Sequence, residues 1–333
     1  MRAPGFWWQS SLSLTAWLLL PFSRIYSFFA SKRLKQLPRP AGVPVICIGN
    51  FTAGGAGKTP TAIKLCQMLH MMGEKPFVLS RGYGGTESGP LLVNAHNHLP
   101  QQVGDEPLLL ARHAPVVVSR DRVAGAEECR RQGASVIIMD DGMQNPSLRK
   151  NLTFAVIDGR KGIGNGQPLP AGPLRLPMDR QWPLANALIL VGDSNAATQI
   201  RSEAQDRGKP VFEAVLRPDE KIADAIRGKR VLAFAGIGSP DKFFDTLRSC
   251  GALVEQTRAF PDHHVFSETE LGELIASAAS SGLILITTEK DAMRIPGHLA
   301  ENFAVLPVAL SFTDENAVKA LMTETLQQFR AGQ

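Results

Sequence analysis

Val45-Ile46-Cys47-Ile48-Gly49-Asn50-Phe51-Thr52-Ala53-Gly54-Gly55-Ala56-Gly57-Lys58-Thr59 decides the fold of this chain. The apolar run Val45 to Ile48 reads as a buried parallel strand. A glycine-rich turn follows, and Lys58-Thr59 open a helical pattern running to about Met72. Strand, loop and helix in that order are the setting of a phosphate-binding loop. The glycines let backbone N–H groups converge on an anion, and the helix N-terminus adds partial positive charge. Thr52, Ala53, Gly54, Gly55, Ala56, Gly57, Lys58 and Thr59 are therefore the candidate nucleotide cradle. Lys58 is placed for the outer phosphates and the Thr59 hydroxyl for Mg2+. The common pattern has Gly where Thr52 stands, so Gly54 and Gly55 supply the flexibility. A glycine turn before a helix can be purely structural, but Gly-Lys-Thr behind a buried strand favours ATP or GTP.

Outward from that stretch the chain alternates strands and helices, which predicts an α/β fold with a mainly parallel sheet and helices on both faces. Strands are expected at Val45–Ile48, Pro76–Ser80, Pro115–Ser119, Ser135–Met139, Phe154–Ile157 and Ala187–Val191. Helices are expected at Thr59–Met72, Glu106–His113 and Arg122–Gln132. Residues 159–185 are rich in Gly and Pro with no periodic segment, and so long a loop in a compact domain is usually functional. A second, smaller α/β unit starts near Lys229, with strands Val231–Ala235, Leu283–Thr287 and Phe303–Leu310 and helices Asp241–Ser249, Glu268–Ala279 and Glu315–Arg330. The expected division is an apolar segment 1–36, a phosphate-loop core 37–215 and a C-terminal lobe 216–333.

Val136-Ile137-Ile138-Met139-Asp140-Asp141-Gly142 is an apolar strand ending in two carboxylates. Parallel sheets bind ligands beyond their strand C-termini, so Asp140 and Asp141 should emerge beside the phosphate loop and hold Mg2+. Asp-Asp-Gly is also a good turn after any strand. Gly104-Asp105-Glu106-Pro107 reads as a helix start with acidic residues at its positive end, and a capped helix is also a rigid platform for a substrate contact by Asp105. In Asp262-His263-His264, adjacent histidines point different ways, which argues against a shared metal. A carboxylate neighbour makes a histidine there a candidate proton relay. Arg81-Gly82-Tyr83-Gly84-Gly85 follows a strand and places Arg81 to meet a phosphate, with a flexible loop as the alternative. Thr288-Glu289-Lys290-Asp291 is superficially a guanine-reading box, but that box needs Lys two residues before Asp. GTP is disfavoured.

The 333 residues suffice for two cores, and 44% hydrophobic with 20% charged residues is ordinary for a globular protein. Cys47, Cys66, Cys129 and Cys250 form no CxxC pair and fit a reducing compartment. A net charge of +5 chooses no partner. The N-terminus does: Leu12 to Ala30 is almost continuously apolar or small, behind Trp7 and Trp8 and ahead of Lys32, Arg33, Lys35 and Arg39. The cations lie on the wrong side for a cleaved signal, and Pro21 and Arg24 interrupt a spanning helix. An interfacial helix or bent hairpin lying in one leaflet fits best, with the trailing cations near anionic lipid. A core helix is the bland alternative.

Taken together, these residues resemble the tetraacyldisaccharide 4′-kinase family of lipid A biosynthesis in Gram-negative bacteria, over nearly the whole chain. The resemblance rests on the apolar N-terminal segment, residues 49–60, Ser80–Gly85, Gly104–Pro107, Asp140–Gln144, Gly164–Gly166, Leu169–Arg175, Asp262-His263 and Thr288–Ala292. It implies a phosphate-loop kinase fold with a smaller lobe closing over nucleotide. It implies transfer of the ATP γ-phosphate to the 4′-hydroxyl of lipid A disaccharide 1-phosphate, giving lipid IVA, by a peripheral enzyme on the cytoplasmic face of the inner membrane. Carried over by position, Asp105 acts as base paired with His263, Thr59 and Asp140-Asp141 organise Mg2+, and Asn50, Arg81 and Arg175 lie toward substrate. Two positions depart: Leu176 stands where the family commonly has Glu, and Asn145 where it often has His.

Two rivals remain from the residues alone. A nucleotide-hydrolysing switch would need a guanine box or a water-positioning residue, and neither is identifiable. A nucleic-acid-binding module would place its cations beside aromatics in a basic patch, whereas here they cluster behind an apolar helix, so no nucleic-acid partner is expected.

Overall fold

The computed structural model describes residues 3–9, 11–192 and 195–332. Among them, a nine-stranded sheet runs in the spatial order Val308–Phe312, Val211–Pro218, Ala187–Val191, Leu152–Asp158, Val45–Gly49, Val136–Asp140, Pro76–Ser80, Val116–Val118, Leu91–Leu92. The interior pairs are parallel and the two outermost pairs antiparallel. Strands at the centre are buried along their whole length, as parallel strands covered on both faces must be. Ile46 and Ile48 enter one apolar cluster with helix Lys58–Met71, while Val45 and Cys47 enter the other with Ala126, Cys129 and Ile200.

A second, four-stranded parallel sheet has the order Leu253–Ala259, Arg230–Ala235, Ile284–Thr288, Ala304–Leu306. Phe234 is fully buried at its centre, edge-on to Phe260, Phe266 and Phe303. The expected strand Phe303–Leu310 is two strands in two sheets. Pro307 has no N–H and cannot continue a ladder; the chain leaves the smaller sheet there, and Val308–Phe312 pairs antiparallel with Val211–Pro218. Helix Glu315–Ala331 then packs Val318, Met322 and Leu326 into the larger core. Residues 308–331 thus join the first sheet, where the sequence placed all of 216–333 in one lobe.

Leu14–Arg33 is one helix through Pro21, capped by the Ser13 hydroxyl, so the bent hairpin does not occur. Its inner face is small: Ala16, Ser23 and Ser27 are buried, and the Ser23 hydroxyl bonds Pro168 O and Ala171 N. Its outer face carries Trp17, Leu18, Phe22, Ile25, Phe28 and Phe29, each more than half exposed. No helix among the described residues is long and apolar enough to cross a membrane.

Phe234→Ala should cost about 3–5 kcal/mol of stability. Urea unfolding of the full chain checks this, and an unchanged midpoint would show that the smaller sheet does not depend on the aromatic cluster.

Candidate active site

Ile48 pairs with Asp140 across adjacent parallel strands, so the phosphate loop and the two carboxylates leave the sheet at the same edge. Gly57 takes φ +93° as the cap of helix Lys58–Met71, a left-handed conformation that favours glycine. Gly54 and Gly55 are exposed, open to a ligand. The loop is braced from two sides. Asn50, fully buried, donates its amide to Gly54 O at 3.1 Å. From the 159–185 segment, Pro173 O accepts Ala53 N–H at 2.7 Å, and Arg175 donates through Nε to Thr52 O at 3.2 Å. Asn50 therefore shapes the cradle from beneath; it offers no surface to a substrate.

Lys58 Nζ lies 3.6 Å from Asp141 Oδ1, and Arg175 Nη2 lies 2.9 Å from Asp141 Oδ2. Burial works to raise the Asp141 pKa, but Lys58 and Arg175 outweigh it and hold the carboxyl below its ordinary range. Asp140 goes the other way: burial, with the Glu106 and Asp141 charges beside it, pushes it up to about 7. Its Oδ2 takes a long contact, 3.5 Å, from the Ser80 hydroxyl. Asp141 Oδ1 is buried without a hydrogen-bond donor. Crowded carboxylates with an unsatisfied oxygen suit a divalent cation. Among the described residues no three His, Cys, Asp or Glu side chains form a cation cage.

On the opposite wall Asp105 opens helix Asp105–Ala111, nearly buried. His263 Nδ1 sits 3.1 Å from both its oxygens, and Arg294 Nε is 3.4 Å from Oδ2. Burial works to raise the Asp105 pKa, but the His263 hydrogen bond and the charges of Lys290 and Arg294 lower it overall. Asp105 is thus a carboxylate at neutral pH. The two walls are linked: Glu106, next to Asp105, feels the Lys58 charge and pairs with Lys290 at 2.9 Å. Beyond the loop, Lys161 Nζ donates to the Ser239 hydroxyl at 2.6 Å and Lys242 pairs with Asp158, tying the start of helix Pro240–Ser249 to the turn after strand Leu152–Asp158.

A family model described as tetraacyldisaccharide-1-P 4′-kinase matches residues 15–327. The chain belongs to that family. It is 50% identical over 333 residues, the full length of both chains, to the tetraacyldisaccharide 4′-kinase of Methylobacterium sp. (strain 4-46). It is 51% identical over 317 residues to that of Methylobacterium nodulans, covering 95% of this chain and 94% of the relative. Among solved structures it resembles the Aquifex aeolicus family member crystallised in complex with ATP, at TM-score 0.73 and 27% identity, covering 94% of this chain and all of the other. This tetraacyldisaccharide 4′-kinase fold is therefore a mainly parallel α/β kinase fold.

Within this kinase the structure brings Lys58, Asp140, Asp141 and Arg175 together, and separately Asp105 with His263. Thr59 is the second residue of the loop helix. Arg81 is exposed at the end of strand Pro76–Ser80 and touches none of these groups. Tyr83, two residues on, sets its ring edge against His263 at 5.4 Å. Leu176, the departure from Glu, is buried at 1% exposure. Asn145 accepts Ser147 N–H and Oγ in a local turn. Sequence reasoning missed Arg294, buried between Asp105 and Asp291; its only signal was the three-residue spacing from Asp291 behind a strand.

A depressed folded-state pKa contributes stability that is present above the ordinary value, 3.8 for Asp105, and is lost as pH falls through the folded value. Asp105→Asn should therefore destabilise the kinase at pH 7 by roughly 1–3 kcal/mol, with the gap to wild type closing at pH below that ordinary value. Denaturant midpoints measured across pH check this; a gap independent of pH would remove the ionised pair as its source.

Proposed function

We propose that this chain transfers the γ-phosphoryl group of ATP to the 4′-hydroxyl of tetraacyldisaccharide 1-phosphate, with Asp105 as general base. One observation carries the proposal: a buried, His263-held carboxylate faces a phosphate loop whose lysine is already paired to the carboxylate Asp141. Lys58 and the loop N–H groups neutralise and orient the triphosphate. Arg175, tied to the loop and to Asp141, adds a positive charge beside it. Thr59, Asp140 and Asp141 would hold Mg2+, which supplies charge neutralisation to the outer phosphates when bound. A sugar hydroxyl is a weak nucleophile until its proton has an acceptor, and Asp105 provides one. The ATP complex of the Aquifex aeolicus relative supports the choice of nucleotide.

The acceptor's acyl chains stay in a bilayer, so the chain must work at a membrane surface. The outward aromatic face of Leu14–Arg33, followed by Lys32, Arg33 and Lys35, supports peripheral docking on an anionic cytoplasmic leaflet. Each cation contributes about 1 kcal/mol near such a surface.

Incubation with γ-labelled ATP and tetraacyldisaccharide 1-phosphate should move label to the lipid 4′ position. ATP hydrolysis that ignores the lipid would overturn the proposal. Asp105→Ala should lower kcat by about 10²–10⁴-fold with little change in ATP affinity, and Lys58→Ala should abolish transfer. In sedimentation with anionic vesicles, Phe22→Ser/Phe28→Ser/Phe29→Ser should reduce recovery while ATP binding persists; undiminished recovery would exclude the helix as the docking face.

A further inference from the structure

Lys290 stands on the short helix Glu289–Ala292, directly after strand Ile284–Thr288. Its root is fixed. The neighbouring Asp291 is fully buried, accepts Gly236 N–H at 3.0 Å and the Thr288 hydroxyl at 2.6 Å, and pairs with Arg294. From that anchor Lys290 Nζ lies 2.9 Å from Glu106 Oε1, 3.2 Å from His263 Nε2 and 3.8 Å from Asp262 Oδ1. Burial works to lower its pKa, but the Glu106, Asp105 and Asp262 carboxylates outweigh burial and raise it. The amine stays an ammonium.

An ammonium offers hydrogens and no lone pair. At 3.2 Å from it, His263 Nε2 can meet the ammonium in a hydrogen bond only as acceptor, with its lone pair free of hydrogen. The ring hydrogen is then on Nδ1, the nitrogen that faces both Asp105 oxygens. We infer that Lys290 is a positioning residue that fixes His263 in its Nδ1–H tautomer and thereby holds the Asp105 carboxylate in place as the base. The inference rests on the function proposed above for the role of Asp105, but the tautomer itself does not.

A consequence follows for the proton. The acceptor O–H bond breaks as the new O–P bond forms, and the bond from Pγ to the leaving oxygen gives its electron pair to ADP. Asp105 takes the proton. His263 has its Nε2 lone pair engaged and its Nδ1 already protonated, so it orients the base and does not receive that proton. With its pKa held below the ordinary carboxyl value, Asp105 then gives that proton up to water. His263 is therefore not the relay that its carboxylate neighbour suggested.

The test uses the full chain labelled with ring-15N histidine and no substrate. His263→Gln assigns the signal among the seven histidines. Wild type should show a protonated Nδ1 and an unprotonated, hydrogen-bonded Nε2. Lys290→Met should shift the ring toward the Nε2–H or doubly protonated form and lower kcat about tenfold or more, with the ATP KM within about twofold. Lys290→Arg should keep the Nδ1–H signature and recover most of kcat. Lys58→Ala should lose transfer yet keep the wild-type His263 spectrum, so a failed kinase assay and a failed tautomer assignment are read separately. A hydrogen on Nε2 in wild type overturns the inference whether or not Lys290→Met folds. So does a folded Lys290→Met protein with the wild-type ring spectrum.

Discussion

The pairing of Val45–Gly49 with Val136–Asp140 is the constraint on which the site depends. Its register sets Ile48 against Asp140. A slip of one residue would turn Asp140 to the other face of the sheet. The register is also sealed after the strands end: a Cβ on Gly49 would stand 2.3 Å from Met143 Cβ, so only glycine lets the two chains pass. With that pairing in place, the phosphate loop and the carboxylates leave the sheet together. The Gly- and Pro-rich segment then has a fixed partner to brace, and Arg175 arrives beside Asp141 as a result.

Much of this was legible because the signals are local. An apolar run before a glycine turn, and another before two carboxylates, each name a strand and the end from which chemistry emerges. Helices Lys58–Met71, Asp105–Ala111 and Arg122–Arg131 fall close to where apolar periodicity puts them. What stayed hidden was non-local. Strand Leu253–Ala259 is an exposed edge whose residues are mostly polar, so it carries little hydrophobic signature. The jump of the chain between sheets at Pro307 depends on which edge is free to receive a strand. Nothing in residue spacing joins Asp105 to His263 across 158 positions; only the family resemblance supplied that pair. Lys290 and Arg294 were hidden for the same reason, since each acts on a partner from another sheet.

Among the described residues, two non-glycine residues hold left-handed backbone, Asp141 at φ 49° and His263 at φ 58°. Each costs about 1 kcal/mol relative to ordinary conformations. Both sit at the facing walls of the cleft, where the backbone must turn sharply to aim a polar side chain inward. Such positions cluster at functional sites when surrounding contacts over-determine them, as Arg175 and Lys58 do for Asp141. The N-terminal helix shows a related inversion: its small residues face the protein and its aromatics face outward.

The return of residues 308–331 to the larger sheet has a bearing on biogenesis. Until that strand has been synthesised, Val211–Pro218 is an open sheet edge, and the apolar surface later covered by Val318, Met322 and Leu326 is bare. The phosphate-loop half therefore receives its outermost strand and a covering helix only after the smaller half has been synthesised. Completion of the larger core is thus coupled to synthesis of the smaller sheet that interrupts it.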